Sequence, residues 1–199
     1  MRPLSHGDAL RIAELQANRF LMLSGVTESG TPSEIVEGLG FIRVLRRADL
    51  PTSGYTDWYK PHWLIMLSST EPFVRQRFTL MHEFKHVLDH PFVVTIYPST
   101  PQQGSEARAE GVADYFSACV LMPKRLIKQL WGQGHQRISD LATIFGVSEL
   151  AMSIRLRQLG LTEPTPRCSH TKVAQPRWPG YFRSAWLEAP THEPVGALA

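Results

Sequence analysis

Cysteine is scarce: Cys119 and Cys168 are the two in 199 residues. Cys119 falls in a segment with helical periodicity and Cys168 in a Pro-rich tail, which argues against a disulfide framework and makes Cys119 a small core residue. Cys168 with His170 is too little for a metal site. Uncharged apolar runs long enough to span a bilayer are also missing, and Arg11, Glu14 and Arg19 interrupt the N-terminal apolar positions where a signal peptide would be unbroken. The expectation is a soluble cytoplasmic protein with no membrane partner. No internal repeat is visible. Net charge is small, +3, but unevenly placed. Residues 1–122 carry 11 Lys and Arg against 13 Asp and Glu, residues 123–161 carry 6 against 2, and the tail carries 4 against 3. What is present in quantity is apolar residue, 43% of the chain, enough for one sizeable core with a small appended module.

The most specific feature lies between Arg77 and His90, in RFTLMHEFKHVLDH. Val74 to His90 is free of Gly and Pro, Phe78, Met81, Val87 and Leu88 supply apolar surface, and Pro91 ends the run, so a helix is predicted. Within it His82, Glu83 and His86 form an HExxH motif. Residues four apart share a helix face, so His82 and His86 can grip one ion, while Glu83, about 100° round the axis, reaches the water beside it. The plainer alternative is a helix with two incidental histidines, one of them paired with Asp89.

Catalytic zinc takes three protein ligands and keeps a fourth position open, so another His, Asp or Glu must approach. Gly104 to Pro123, GSEARAEGVADYFSACVLMP, predicts a second amphipathic helix with Ala109, Val112, Ala113, Phe116 and Val120 on one stripe. On its flank Glu110 and Asp114 are four apart, a spacing that lets one carboxylate bind a metal while the other accepts a hydrogen bond from a ligating histidine. Spacing alone also admits Glu106, or a solvated acidic face made of Glu106, Glu110 and Asp114. The longer HExxHxxGxxH signature fails, because Asp89 stands at its Gly and Phe92 at its third His.

RFTLMHEFKHVLDH, then EGVADYFSACVLMP, then Ile138 to Leu161 together resemble the ImmA/IrrE family of metallo-endopeptidases in motif type, order and spacing, across roughly Asp8 to Leu161. Glu110, Asp114, Phe116, Ser117 and Leu121-Met122-Pro123 fall on the positions of that family's second motif, and anchoring on its Leu-Met-Pro ending favours Glu110 over Glu106. Lys85 and Ser117 depart from the family's usual small residue and Ala. The resemblance implies an α+β, zincin-like core with a small sheet over residues 1–123, and a helix-turn-helix-like unit packed on it over 124–161. It implies one Zn2+ held by His82, His86 and Glu110, with Asp114 supporting a histidine and Glu83 as general base. The activity implied is peptide bond hydrolysis, and the implied substrate is a DNA-binding repressor, often of helix-turn-helix type. For the oxyanion, Tyr55, His62 and Tyr115 qualify only by residue type.

Other segments carry weaker signals. Asp8 to Leu23 predicts an amphipathic helix, Gly40 to Leu45 and Trp63 to Leu67 strands, and Pro51 to Lys60 a loop. Trp63 to Leu67 is the candidate edge strand for a peptide substrate, with a buried core strand as the equal alternative. Phe92 to Tyr97 reads as a further strand or an apolar loop. In Ile138 to Leu161, Gly146-Val147-Ser148 is the turn, Ser148 an N-cap and Gly160 a stop. Arg155 and Arg157 are the candidate nucleic-acid contacts there, while Leu141, Ile144, Val147, Ile154 and Leu159 could instead dock the unit on the core. A transcriptional regulator, or a toxin-antitoxin component, acting through this unit with a structural or vestigial metal site is therefore the second functional expectation. Beyond Thr162, six prolines and little periodicity predict a mobile tail bearing Trp178, Tyr181, Phe182 and Trp186.

Overall fold

A computed structural model describes residues 4–27, 31, 33–98 and 104–161, all within one compact unit. The tail, with Cys168 and its four aromatics, lies outside the described residues.

Helix α1 spans His6–Leu23 and begins two residues ahead of expectation because Ser5 caps it. The Ser5 hydroxyl accepts from the Asp8 backbone N–H at 3.1 Å, and the Asp8 carboxylate accepts from the Ser5 N–H at 3.0 Å, a reciprocal pair that satisfies two otherwise orphaned donors. Its buried face is Ala9, Ala13, Ala17 and Leu21, one residue per turn. Small side chains at that spacing let α1 lie close against α5, Ser105–Leu121.

A short helix, α2 (Glu34–Glu37), leads into a three-stranded sheet of β1 (Ile42–Arg47), β2 (Gly54–Tyr59) and β3 (His62–Ser68). The order is β1-β3-β2, with β1 parallel and β2 antiparallel to β3. Two expectations are corrected here. Pro51 to Lys60 is not all loop, since Gly54–Tyr59 pairs with β3 along its whole length. Its aromatic and β-branched residues suit a strand, but Gly54 and Asp57 weaken that signal, and the inner face is marked only by the half-buried Gly54 and Thr56, neither of them a large apolar residue. Trp63 to Leu67 is the centre of the sheet rather than its edge, and Ile65 and Leu67 are fully buried. The edge beside the HExxH helix is β2.

That helix, α3 (Phe73–Asp89), packs against β2, β3 and α5. Leu80, Met81, Phe84 and Val87 enter the core. Gly54 sets the fit between α3 and β2: a Cβ there would lie 2.6 Å from Thr79 Cγ2 and 2.8 Å from the Met66 carbonyl oxygen, so only glycine allows this approach. After α3, His90–Phe92 forms a 3₁₀ turn and Val93–Ile96 a single helical turn, α4, rather than a strand or loop. Pro91 at the first turn of the 3₁₀ segment redirects the chain without extending it.

The C-terminal part comprises α6 (Lys124–Gly132), α7 (Ile138–Phe145) and α8 (Glu149–Gln158). Gly146 closes α7 with φ of 60°, and the Ser148 hydroxyl caps α8 by accepting from the Ala151 N–H at 3.1 Å. Leu141 and Val147 are buried as expected for docking, but Phe145, Met152 and Leu156 carry more of the contact than the half-buried Ile144, Ile154 and Leu159. Arg77 of α3 pins the turn. Its guanidinium donates to the carbonyls of Phe145 at 3.1 Å and Thr31 at 2.6 Å, and to that of Gly146. Burial pushes its pKa down, with Glu34 opposing.

Candidate metal centre

His82 and His86 stand one turn apart on α3, and Glu110 faces them from α5. His82 Nε2 is 3.1 Å from His86 Nε2 and 3.1 Å from Glu110 Oε2, and His86 Nε2 is 3.2 Å from Glu110 Oε1. These donor atoms form a compact triangle able to hold one ion. Tetrahedral zinc with bonds of about 2.0–2.1 Å places its ligand atoms about 3.3–3.4 Å apart, so the triangle has nearly the edge length that zinc requires.

Proton placement points the same way. Asp114, one turn after Glu110, lies 2.9 Å from His82 Nδ1. A carboxylate only accepts, so the imidazole proton sits on Nδ1 and the Nε2 lone pair faces Glu110 and His86. The His82 Nε2 lone pair, His86 Nε2 and the Glu110 carboxylate converge within 3.2 Å, an arrangement that a cation, or a proton on His86 Nε2, bridges. Burial opposes charge on His82, but the Asp114 hydrogen bond and the charges of Glu110, Asp114 and Glu83 outweigh it and raise its pKa. Burial, then the neighbouring His82, lowers that of His86. An acidic pocket that favours positive charge, with an imidazole kept free to coordinate, fits a divalent metal.

Glu83 is nearly buried, 9% exposed, beside the triangle. The Thr56 hydroxyl of β2 donates to its Oε2 at 2.7 Å, and Oε1 takes no hydrogen bond from the described residues. Glu110 and Asp114 are more than half exposed at their side chains, so the cluster opens to solvent. A base poised next to an ion site, reachable from outside, can deprotonate a nucleophilic water.

The other candidates lie elsewhere. Tyr55 alternates with Thr56 and so occupies the opposite sheet face, and His62 likewise lies opposite Trp63, whose ring packs edge-on at 4.8 Å against His90. The Tyr115 hydroxyl binds Glu14 at 3.4 Å. None of the three is brought to the triangle. Lys85 is turned away from it, fully buried against Asp89 and donating to Gln16 at 2.7 Å. Asp89 thus pairs with Lys85 and Tyr97 rather than with a histidine. The expectation that Arg155 faces nucleic acid is overturned by its burial. It is 1% exposed, donates to the Met122 carbonyl at 3.2 Å and lies over the Tyr115 ring. Arg157 is exposed. Thr56 and Gly54 escaped sequence reasoning, because neither belongs to a motif and their role depends on which strand lies beside α3.

An HExxH helix laid on a small sheet, with a carboxylate presented by the next long helix, is the arrangement of a zincin-like metallopeptidase domain. The chain belongs to the family described as the IrrE N-terminal-like domain, a peptidase family whose model matches residues 42–157, more than half of the sequence. Among solved structures, a Mycobacterium tuberculosis transcriptional regulator is similar in fold, with a TM-score of 0.60 and 21% identity. The match covers 79% of this chain and 48% of that one, so this chain spans about half of that protein's length. No curated protein matches the sequence significantly. No helix among the described residues is long and apolar enough to cross a membrane.

Proposed function

We propose that this protein is a zinc-dependent endopeptidase that cleaves a DNA-binding repressor or a similar regulatory protein in the cytoplasm. The observation that carries the reading is the His82, His86 and Glu110 triangle with the Glu83 carboxyl beside it. Zinc held there supplies Lewis acidity, which acidifies water and polarises a peptide carbonyl. Glu83 takes the proton of the attacking water on Oε1 and returns it to the leaving amine. Asp114 holds His82 in the tautomer that coordinates through Nε2.

The strand beside the site supports a peptide rather than a compact substrate. Ser68 donates to the Ser53 carbonyl at 2.9 Å, which fixes the pairing phase of β2 and β3. Gly54, Thr56 and Trp58 therefore turn their backbone groups to the free edge. There the Trp58 N–H donates to Asp57 at 2.8 Å and the Gly54 carbonyl accepts from Thr52 at 3.1 Å, which leaves the groups of Thr56 as the central ones for a substrate strand. An extended substrate can add to that edge, passing the Glu83 carboxyl that Thr56 touches. The repressor as substrate rests on family resemblance. The alternative, a regulator acting through α7 and α8, loses one of its two candidate DNA contacts to the burial of Arg155.

The test is incubation of the zinc-loaded chain with purified helix-turn-helix repressors from the same organism. Wild type is expected to produce discrete fragments, and Glu83→Gln, with zinc retained, to lose at least a thousandfold in rate. Equal cleavage by both proteins would refute the assignment of Glu83. Fragments from neither, together with salt-dependent DNA binding lost in Arg157→Ala, would favour the regulator.

A further inference from the structure

We infer that Thr56 is a positioning residue for the general base, and that β2 aligns the Glu83 carboxyl as well as offering an edge to substrate. This rests on the peptidase reading above. The Thr56 hydroxyl has one proton and two acceptors near it, Glu83 Oε2 at 2.7 Å and the Glu83 carbonyl oxygen at 3.4 Å. The shorter contact takes the proton, because hydrogen bonds to an ionised acceptor are the shorter and stronger kind.

The consequence follows from carboxylate geometry. A free Glu side chain on a helix has three rotatable torsions and samples several orientations. Tying Oε2 to a strand that Gly54 seats directly on α3 fixes the plane of the carboxyl and leaves Oε1 as the oxygen that can accept a proton from water. Thr56 never touches the reacting atoms and acts through Glu83. The β-branched side chain suits this task, since few χ1 rotamers are open to it on a strand.

The experiment compares the zinc-loaded full chain as wild type, Thr56→Val, Thr56→Ser and Glu83→Gln. Valine keeps the shape and removes the donor, whereas serine keeps the donor. With fluorescein-labelled casein as the probe, Thr56→Val should lower kcat about tenfold to a hundredfold at unchanged KM and zinc content, and Thr56→Ser should restore it to within about threefold of wild type. In parallel, the carbon-13 signal of the Glu83 carboxyl, assigned by its loss in Glu83→Gln, should move in Thr56→Val and return in Thr56→Ser. An unmoved carboxyl signal overturns the inference whatever the cleavage result. An active wild type matched in kcat by Thr56→Val overturns the role of Thr56 alone. If wild type and Glu83→Gln are equally inactive on casein and on the repressors used to test the proposed function, the peptidase reading fails and the inference goes with it.

Discussion

His82 illustrates how one side chain acquires its role from two others. Nδ1 is held by Asp114 and Nε2 points at Glu110, so the ring can coordinate without turning. Removing the Asp114 charge while keeping its size, as in Asp114→Asn, is predicted to weaken zinc affinity about tenfold to a hundredfold with little effect on thermal stability. Competition with a zinc chelator measures it, and unchanged affinity would show that the Asp114 contact is incidental. At this scale the sequence was most legible. HExxH fixes three of the residues by spacing alone, because a helix converts i, i+4 into a shared face. Spacing left Glu106 and Glu110 level, and it is the position of α5 against α3 that brings Glu110 to the histidines. Arg155 misled for a related reason. An arginine in a basic segment looks solvated in one dimension, whereas here its guanidinium satisfies a buried carbonyl and stacks on Tyr115.

Elements show a different balance. The long helices α1, α3 and α5 announce themselves through periodic apolar stripes, and α3 also through absent Gly and Pro, and they lie within two residues of expectation at each end. The sheet was half read. β1 and β3 have runs of β-branched and aliphatic residues, but the identity of the edge strand is a property of pairing, which no single strand's sequence carries. β2 also depends on Gly54, whose missing side chain weakens strand propensity while permitting the contact with Thr79. Gly54→Ala is accordingly predicted to destabilise the protein by about 1–3 kcal/mol, measured by denaturant titration, and to cut cleavage further by pushing Thr56 away from Glu83. A variant as stable and active as wild type would mean that β2 can shift without consequence.

For the whole molecule, the question is how the C-terminal helical pair relates to the core. Its apolar residues and its basic charge admitted either docking on the core or contact with nucleic acid, and Arg77 reaches from the HExxH helix into its turn and binds two of its carbonyls. The two parts are thereby expected to unfold together. Arg77→Leu leaves the Phe145, Gly146 and Thr31 carbonyls without their donor and is predicted to cost about 3 kcal/mol, read as a lowered midpoint of one cooperative transition. Two separated transitions in the wild type would contradict this coupling. Sequence could not show it, because Arg77 sits in the helix where surface arginines are ordinary, and 69 residues separate it from Gly146.

The most direct measurement is the zinc content of purified protein by elemental analysis, with His82→Ala, Glu110→Ala and Glu83→Gln alongside. About one zinc per chain in wild type and Glu83→Gln, with strong loss in the other two, is the predicted result. Wild-type protein that takes up no zinc when it is supplied, or zinc retained in full by both His82→Ala and Glu110→Ala, would contradict the account.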